Sequence, residues 1–149
     1  MITCKLLLCA QGVVRDAETG GISIYNIFEG IQVASFPFFI QQMDIFGLFT
    51  RIPEDDAQYD VSFRVALGDT ELVTGNLLLD FGNKFRNRAV LHIQGLIVPQ
   101  PGQMTVSAQH ADTLLGTYEL TVEQILPPRL EARQEPVGVN AREERPVSR

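Results

Sequence analysis

The sequence predicts an all-β fold, an antiparallel β-sandwich of Greek-key type with about eight strands, on three observations. Apolar residues alternate at period two, most clearly where Val61, Phe63, Val65 and Leu67 interleave with Asp60, Ser62, Arg64 and Ala66. Turn-forming clusters recur at short intervals from end to end. No stretch of ten residues carries a convincing amphipathic helical pattern. Regular short strands between such turns suit two packed sheets, with a closed barrel as the alternative.

Each element follows in order. Residues 3–14 are apolar and lack strong helix caps, so they read as a strand. "RDAETGG" (15–21) is a polar hairpin loop whose glycines reach positive φ. "ISIYNIFEGIQV" (22–33) fits a helix and a strand alike. Gly30 in a helix interior, amid β-branched neighbours, costs about 1 kcal/mol relative to alanine. The strand reading needs one irregularity, because the apolar set Ile22, Ile24, Phe28 changes phase to Ile27, Ile31, Val33. A bulge between Asn26 and Gly30 supplies it and bends the chain from one sheet toward the other. A short helical turn over Asn26–Glu29 is the competing reading.

Pro37 interrupts the ladder, having no N–H to donate. "FIQQMDIFGLFTRI" (39–52) is apolar on both faces, which predicts a central strand with Met43, Ile45, Gly47 and Phe49 on one side. "PEDDAQ" turns the chain into the 60–67 strand. "GDTE", "GNKFRN", "PQPG" and "ADTLLG" separate the remaining strands, and Tyr118, Leu120 and Val122 of the last one face inward. "PQPG" (99–102) reads as a hairpin in which Leu91, Ile93 and Ile97 share a face with Met104, Val106 and Ala108. These elements make one sandwich domain over 1–126. Residues 127–149 mix proline, arginine and glutamate with few large apolar groups, the composition of a disordered tail.

Composition excludes some classes of function. The chain has 149 residues and a net charge of -6. Seven Lys/Arg against fourteen Asp/Glu precede Arg129, so the body is strongly acidic and disfavours nucleic-acid phosphates as a partner. "KLLLCAQ" looks like the end of a lipoprotein signal, but three leucines between Lys5 and Cys9 fall short of the apolar run such a signal needs. No run approaches the roughly 20 apolar residues of a membrane helix. Cys4 and Cys9, five apart on one strand, point to opposite faces and are expected as free thiols in a reducing cytoplasm.

"GGISIYNIFEGIQVASFP" also resembles the hallmark of DUF6941, a family of small bacterial domains of unknown function. Members show Gly-x-Leu-Ser-Ile-x-x-Ile-Phe-x-x-Ile and then Phe-Pro. Gly21, Ser23, Ile24, Ile27, Phe28, Ile31, Phe36 and Pro37 match it. Ala10-Gln11 depart from it, since many members carry an acidic–aromatic pair there. The resemblance implies an all-β fold over about 1–125 and a bacterial, cytoplasmic setting; it carries over no catalytic residue.

Candidate sites are sparse. His92 and His110 flank "PQPG", but the register that buries both apolar sets sets His92 opposite Gln109 and points the imidazoles apart. Glu54, Asp55, Asp56 and Asp60 supply oxygen donors for a hard cation such as calcium, without the spacing of a calcium loop; three adjacent acids more often solubilise a turn. Lys84, Arg86 and Arg88 recur at every second position and would share a strand face, either as a grip for an anionic partner or as charges guarding an edge strand. "DFG" at 80–82 lacks the other kinase elements. No nucleophile elbow occurs, Trp is absent, and most of the nine Phe read as core, which disfavours sugar stacking. No catalytic, cofactor or metal residue is therefore assigned. The expected function is a non-catalytic protein-interaction module whose partner is another protein, with homo-oligomers allowed. A small enzyme with a loop-built site and a phage- or virion-type structural domain are the alternatives.

Overall fold

A computed structural model describes residues 1–126, and among them every regular element is a strand. There are nine: β1 (Thr3–Arg15), β2 (Ile22–Ile27), β3 (Gly30–Val33), β4 (Phe38–Thr50), β5 (Gln58–Leu67), β6 (Thr70–Asp80), β7 (Arg86–Val98), β8 (Gly102–His110) and β9 (Thr113–Gln124). They form a four-stranded sheet, β2-β1-β4-β7, and a five-stranded sheet, β3-β9-β8-β5-β6. Neighbours are antiparallel except β3 and β9, which run parallel. The expected tail lies outside the described residues.

The core fills the space between the sheets. Met43, Ile45 and Phe49 of β4 meet Val61, Phe63 and Val65 of β5 and Met104 and Val106 of β8, all essentially without solvent contact. Phe49 and Phe63 stack edge-to-face across the layers, with ring centroids 6.3 Å apart. β4 lies between β1 and β7, as its two apolar faces predict. At Asp44 and Phe46 its outer face is covered by the β1–β2 hairpin. β1 pairs with β4 up to Ala10 and with β2 from Ala10 onward. Val13, Ile22 and Ile24 of the hairpin then close over Leu8, Ala10 and Phe46.

The ambiguous stretch 22–33 is neither a helix nor one bent strand. It splits into β2 and β3, which belong to different sheets. Asn26 takes a left-handed conformation at φ 52°, the region that asparagine tolerates better than most residues. Phe28 N–H still donates to Cys9 O (2.9 Å), while Phe28 O accepts from Tyr118 Oη (2.6 Å) on β9 of the other sheet. The chain thus changes sheets within one residue.

Four sequence expectations are corrected. "PQPG" is no hairpin, since β7 and β8 lie in different sheets; neither Pro99 nor Pro101 can donate to a ladder. Ile97 faces outward and is 59% exposed, while Leu96 and Val98 are buried. Gly95, at φ 77°, reverses the alternation of β7 between Ile93 and Leu96. Cys4 and Cys9 both pack on the main core, because a register shift between Cys4 and Leu6 undoes the expected alternation; both thiols are free. The β8–β9 loop shrinks to Ala111-Asp112, as His110 already pairs with Thr113.

Candidate functional site

The reversal at Gly95 also builds a cleft. β4 changes phase at the matching rung, so Ile40 and Met43 both turn inward and the consecutive Gln41 and Gln42 both turn out. Gln42 faces Gln94 across the β4–β7 ladder. These three carboxamides, with Gln11 from β1 and Gln32 from β3, line a cleft of about 830 Å³. Phe28, Phe38 and Phe39 supply aromatic wall, and Gly30 and Gly95 leave the backbone bare. Phe39 lies against Gly95, where a Cβ would stand 3.4 Å from its ring. Among the described residues no ionisable side chain lines the cleft.

One wall is the edge strand β3 of the five-stranded sheet. Among the described residues β3 pairs with β9 alone. Ile125 N–H donates to Val33 O (2.9 Å), so Val33 turns its backbone toward β9. In a parallel ladder successive residues alternate, which directs the N–H and C=O of Gln32 and Gly30 to the unpaired side.

Beyond the cleft, the next rung of the same face holds Asp44 opposite His92. Among the described residues Asp44 is the one charged residue buried as a whole, 1% exposed. Its Oδ2 accepts Val13 N–H (2.9 Å), replacing the ladder bond lost where β1 leaves β4. Its Oδ1 lies 2.8 Å from Nδ1 of His92, whose side chain is 62% exposed.

The residues singled out in the sequence fare differently. His110 sits in the other sheet, its Nδ1 2.7 Å from Asp60 O and its ring edge-on to Tyr59, so the imidazoles do not converge. The Asp55 carboxylate accepts the Met1 ammonium and Ile52 N–H, which hold it below the usual carboxylate range. Asp60 lies on β5, and Glu54 and Asp56 in the preceding turn. Among the described residues no three Asp, Glu, His or Cys side chains are grouped to hold a metal ion, and the four acids form no such group. Arg86 and Arg88 share the outer face of β7, but Lys84 precedes the strand and does not continue their row. Arg88 donates to Gly20 O (3.2 Å) at the hairpin tip, and the Lys84 carbonyl accepts from Arg51 Nε (2.9 Å). Burial pushes both thiols up, Cys9 to about 12, which keeps them protonated near neutrality and makes them poor nucleophiles.

Sequence reasoning missed the cleft and the Asp44–His92 pair. Two signals were present: the double Gln41-Gln42 inside an alternating strand, and the lone acid of "QMDIFG" in a segment apolar on both sides.

Fold and cleft together define a two-sheet all-β domain with an uncharged groove beside a sheet edge that is unpaired among the described residues. The chain belongs to DUF6941, a family of unknown function, whose model matches residues 5–123. Among solved structures it is similar to the alkylpurine DNA glycosylase AlkC of Pseudomonas fluorescens bound to DNA containing an abasic site analog. The TM-score is 0.50 at 8% identity, over 82% of this chain and 30% of that one. This chain spans less than a third of that protein, and the likeness concerns fold alone. No curated protein matches the chain. Among the described residues no helix is long and apolar enough to cross a membrane.

Proposed function

We propose that the chain is a non-catalytic interaction module that seats an extended, uncharged segment of another protein in the glutamine-lined cleft. The observation that carries this reading is the outer β3 edge, unpaired among the described residues, beside five carboxamides with no charge among them. A carboxamide offers a carbonyl acceptor and N–H donors, the same kinds of group as a peptide bond. Strand addition to an open edge gives main-chain hydrogen bonds, while flanking pockets read side chains. The phenylalanines provide apolar area, and a charged segment would lose solvation there without finding a partner. Both thiols being protonated supports a binding role over a cysteine-based enzyme. The acidic body supports a protein partner over nucleic acid. A cytoplasmic setting accords with the free thiols.

The test is binding of the full chain to an array of blocked, uncharged octapeptides, repeated with Gln32→Pro. Proline at an edge strand removes the outward N–H and spares the bonds to β9. Loss of one intermolecular hydrogen bond and its local fit weakens binding roughly tenfold. If no octapeptide binds, or the variant binds as well as the parent, the reading fails. Self-association in light scattering that Gln32→Pro abolishes would identify a second copy as the occupant.

A further inference from the structure

The Asp44–His92 pair stands one rung beyond Gln42–Gln94, on the same outer face of β4 and β7. Residues two apart on a strand share a face and lie about 7 Å apart, within reach of one extended ligand. Asp44 is buried, and its Oδ2 already accepts Val13 N–H at 2.9 Å. An ionised carboxylate only accepts, so the 2.8 Å contact from Oδ1 places a proton on Nδ1 of His92. Neutral imidazole carries one N–H, which leaves Nε2 as a bare acceptor on an exposed ring. The carboxamides alongside can donate or accept by turning over; this nitrogen, held by its buried partner, cannot.

We propose that His92, one rung beyond the cleft, is a specificity-determining residue for the segment seated there, its Nε2 accepting a hydrogen bond from a hydroxyl or carboxamide side chain of the bound segment, with Asp44 as the positioning residue that fixes the tautomer. The inference rests on the peptide-binding reading and narrows the partner to an uncharged segment with a donor side chain at that point. Apolar segments of equal length bind more weakly.

Two measurements on the full chain test it. Ring-nitrogen NMR in buffer of about pH 8, above the ordinary imidazole range, shows His92 with Nδ1 protonated and Nε2 bare. Asp44→Asn reverses this, because the asparagine oxygen still accepts Val13 N–H while its NH₂ donates to Nδ1. In the second measurement, each octapeptide that binds is scanned by replacing Ser, Thr, Asn and Gln with Ala. One position loses roughly tenfold in affinity with the parent chain. That loss disappears with His92→Phe, which removes the acceptor at an exposed position, and with Asp44→Asn. A parent ring protonated on Nε2, or a scan that is the same in parent and His92→Phe, overturns the inference and leaves the cleft reading standing. Failure of every octapeptide to bind removes both.

Discussion

Gly95→Ala separates two ways in which β7 can respond to a side chain at its turning point. Gly95 sits at φ 77°, and alanine held there costs about 1–2 kcal/mol through the clash of Cβ with the backbone. The new Cβ would lie 3.4 Å from the Phe39 ring, a contact distance that adds little. The strand could escape the strain by returning residue 95 to the extended region. That would restore simple alternation and exchange the faces of 96–98, exposing Leu96 and Val98, now 5% and 0% exposed, and burying Ile97. Each such side chain is worth about 1.5–3 kcal/mol, so two lost for one gained costs at least as much as the strain, before any cavity is counted. The strained conformation wins. Urea unfolding followed by far-UV circular dichroism therefore shows a loss of about 1–2 kcal/mol with an unchanged slope, and Gly95→Asn loses less. A variant as stable as the parent would refute the left-handed assignment. A loss above about 4 kcal/mol would refute the strain figure, since the variant takes only the cheaper of the two responses.

Three further outcomes follow from the same geometry. Phe63→Ala, at a 1% exposed position stacked on Phe49, loses about 3–5 kcal/mol in the same urea assay. Cys9, with its thiol pushed up to about 12 by burial, stays unreactive to a thiol reagent in the native protein and reacts fully after denaturation, while the half-buried Cys4 reacts slowly. Asp16 accepts N–H bonds from Thr19 and Glu18, which hold its carboxyl below the usual range. Its folded pKa is lowered, so the stability it contributes is present above the unfolded value and is lost as pH falls through the folded one. Asp16→Ala is accordingly less stable than the parent near neutrality, and urea midpoints of the two converge below the ordinary carboxylate range.

Much of this fold was legible in local pattern. The 60–67 strand, the two-faced 39–52 strand and the 15–21 loop appear as the residues predict, because side-chain alternation and turn chemistry are set by near neighbours. The phase change in 22–33 was visible as well; that it marks a change of sheet was not, since the hydrogen bond from Tyr118 to Phe28 joins residues ninety apart. Ile97 was misplaced for a related reason. A glycine inside a strand pattern permits positive φ without requiring it, and only the packing of Leu96 and Val98 decides.

The candidate site was the least legible part. Its glutamines come from β1, β3, β4 and β7, each unremarkable on its own strand. His92 found a carboxylate that no loop search would offer, an acid buried in the neighbouring strand under the β1–β2 hairpin. Of the basic row, Arg86 and Arg88 keep the predicted face, while Lys84 leaves it because the strand begins after it.

By itself the sequence determined that this chain forms strands, where most of them begin and end, and which side of each seeks the interior. Those choices depend on residues two positions apart, and every strand carries that information within itself. The tertiary structure alone decided which strands share a sheet and which rungs stand opposite one another, and hence that five carboxamides from both sheets meet in one cleft with an Asp–His pair on the next rung. Pairing and register are settled by burying the apolar faces of all nine strands together, and no single stretch of chain contains that balance.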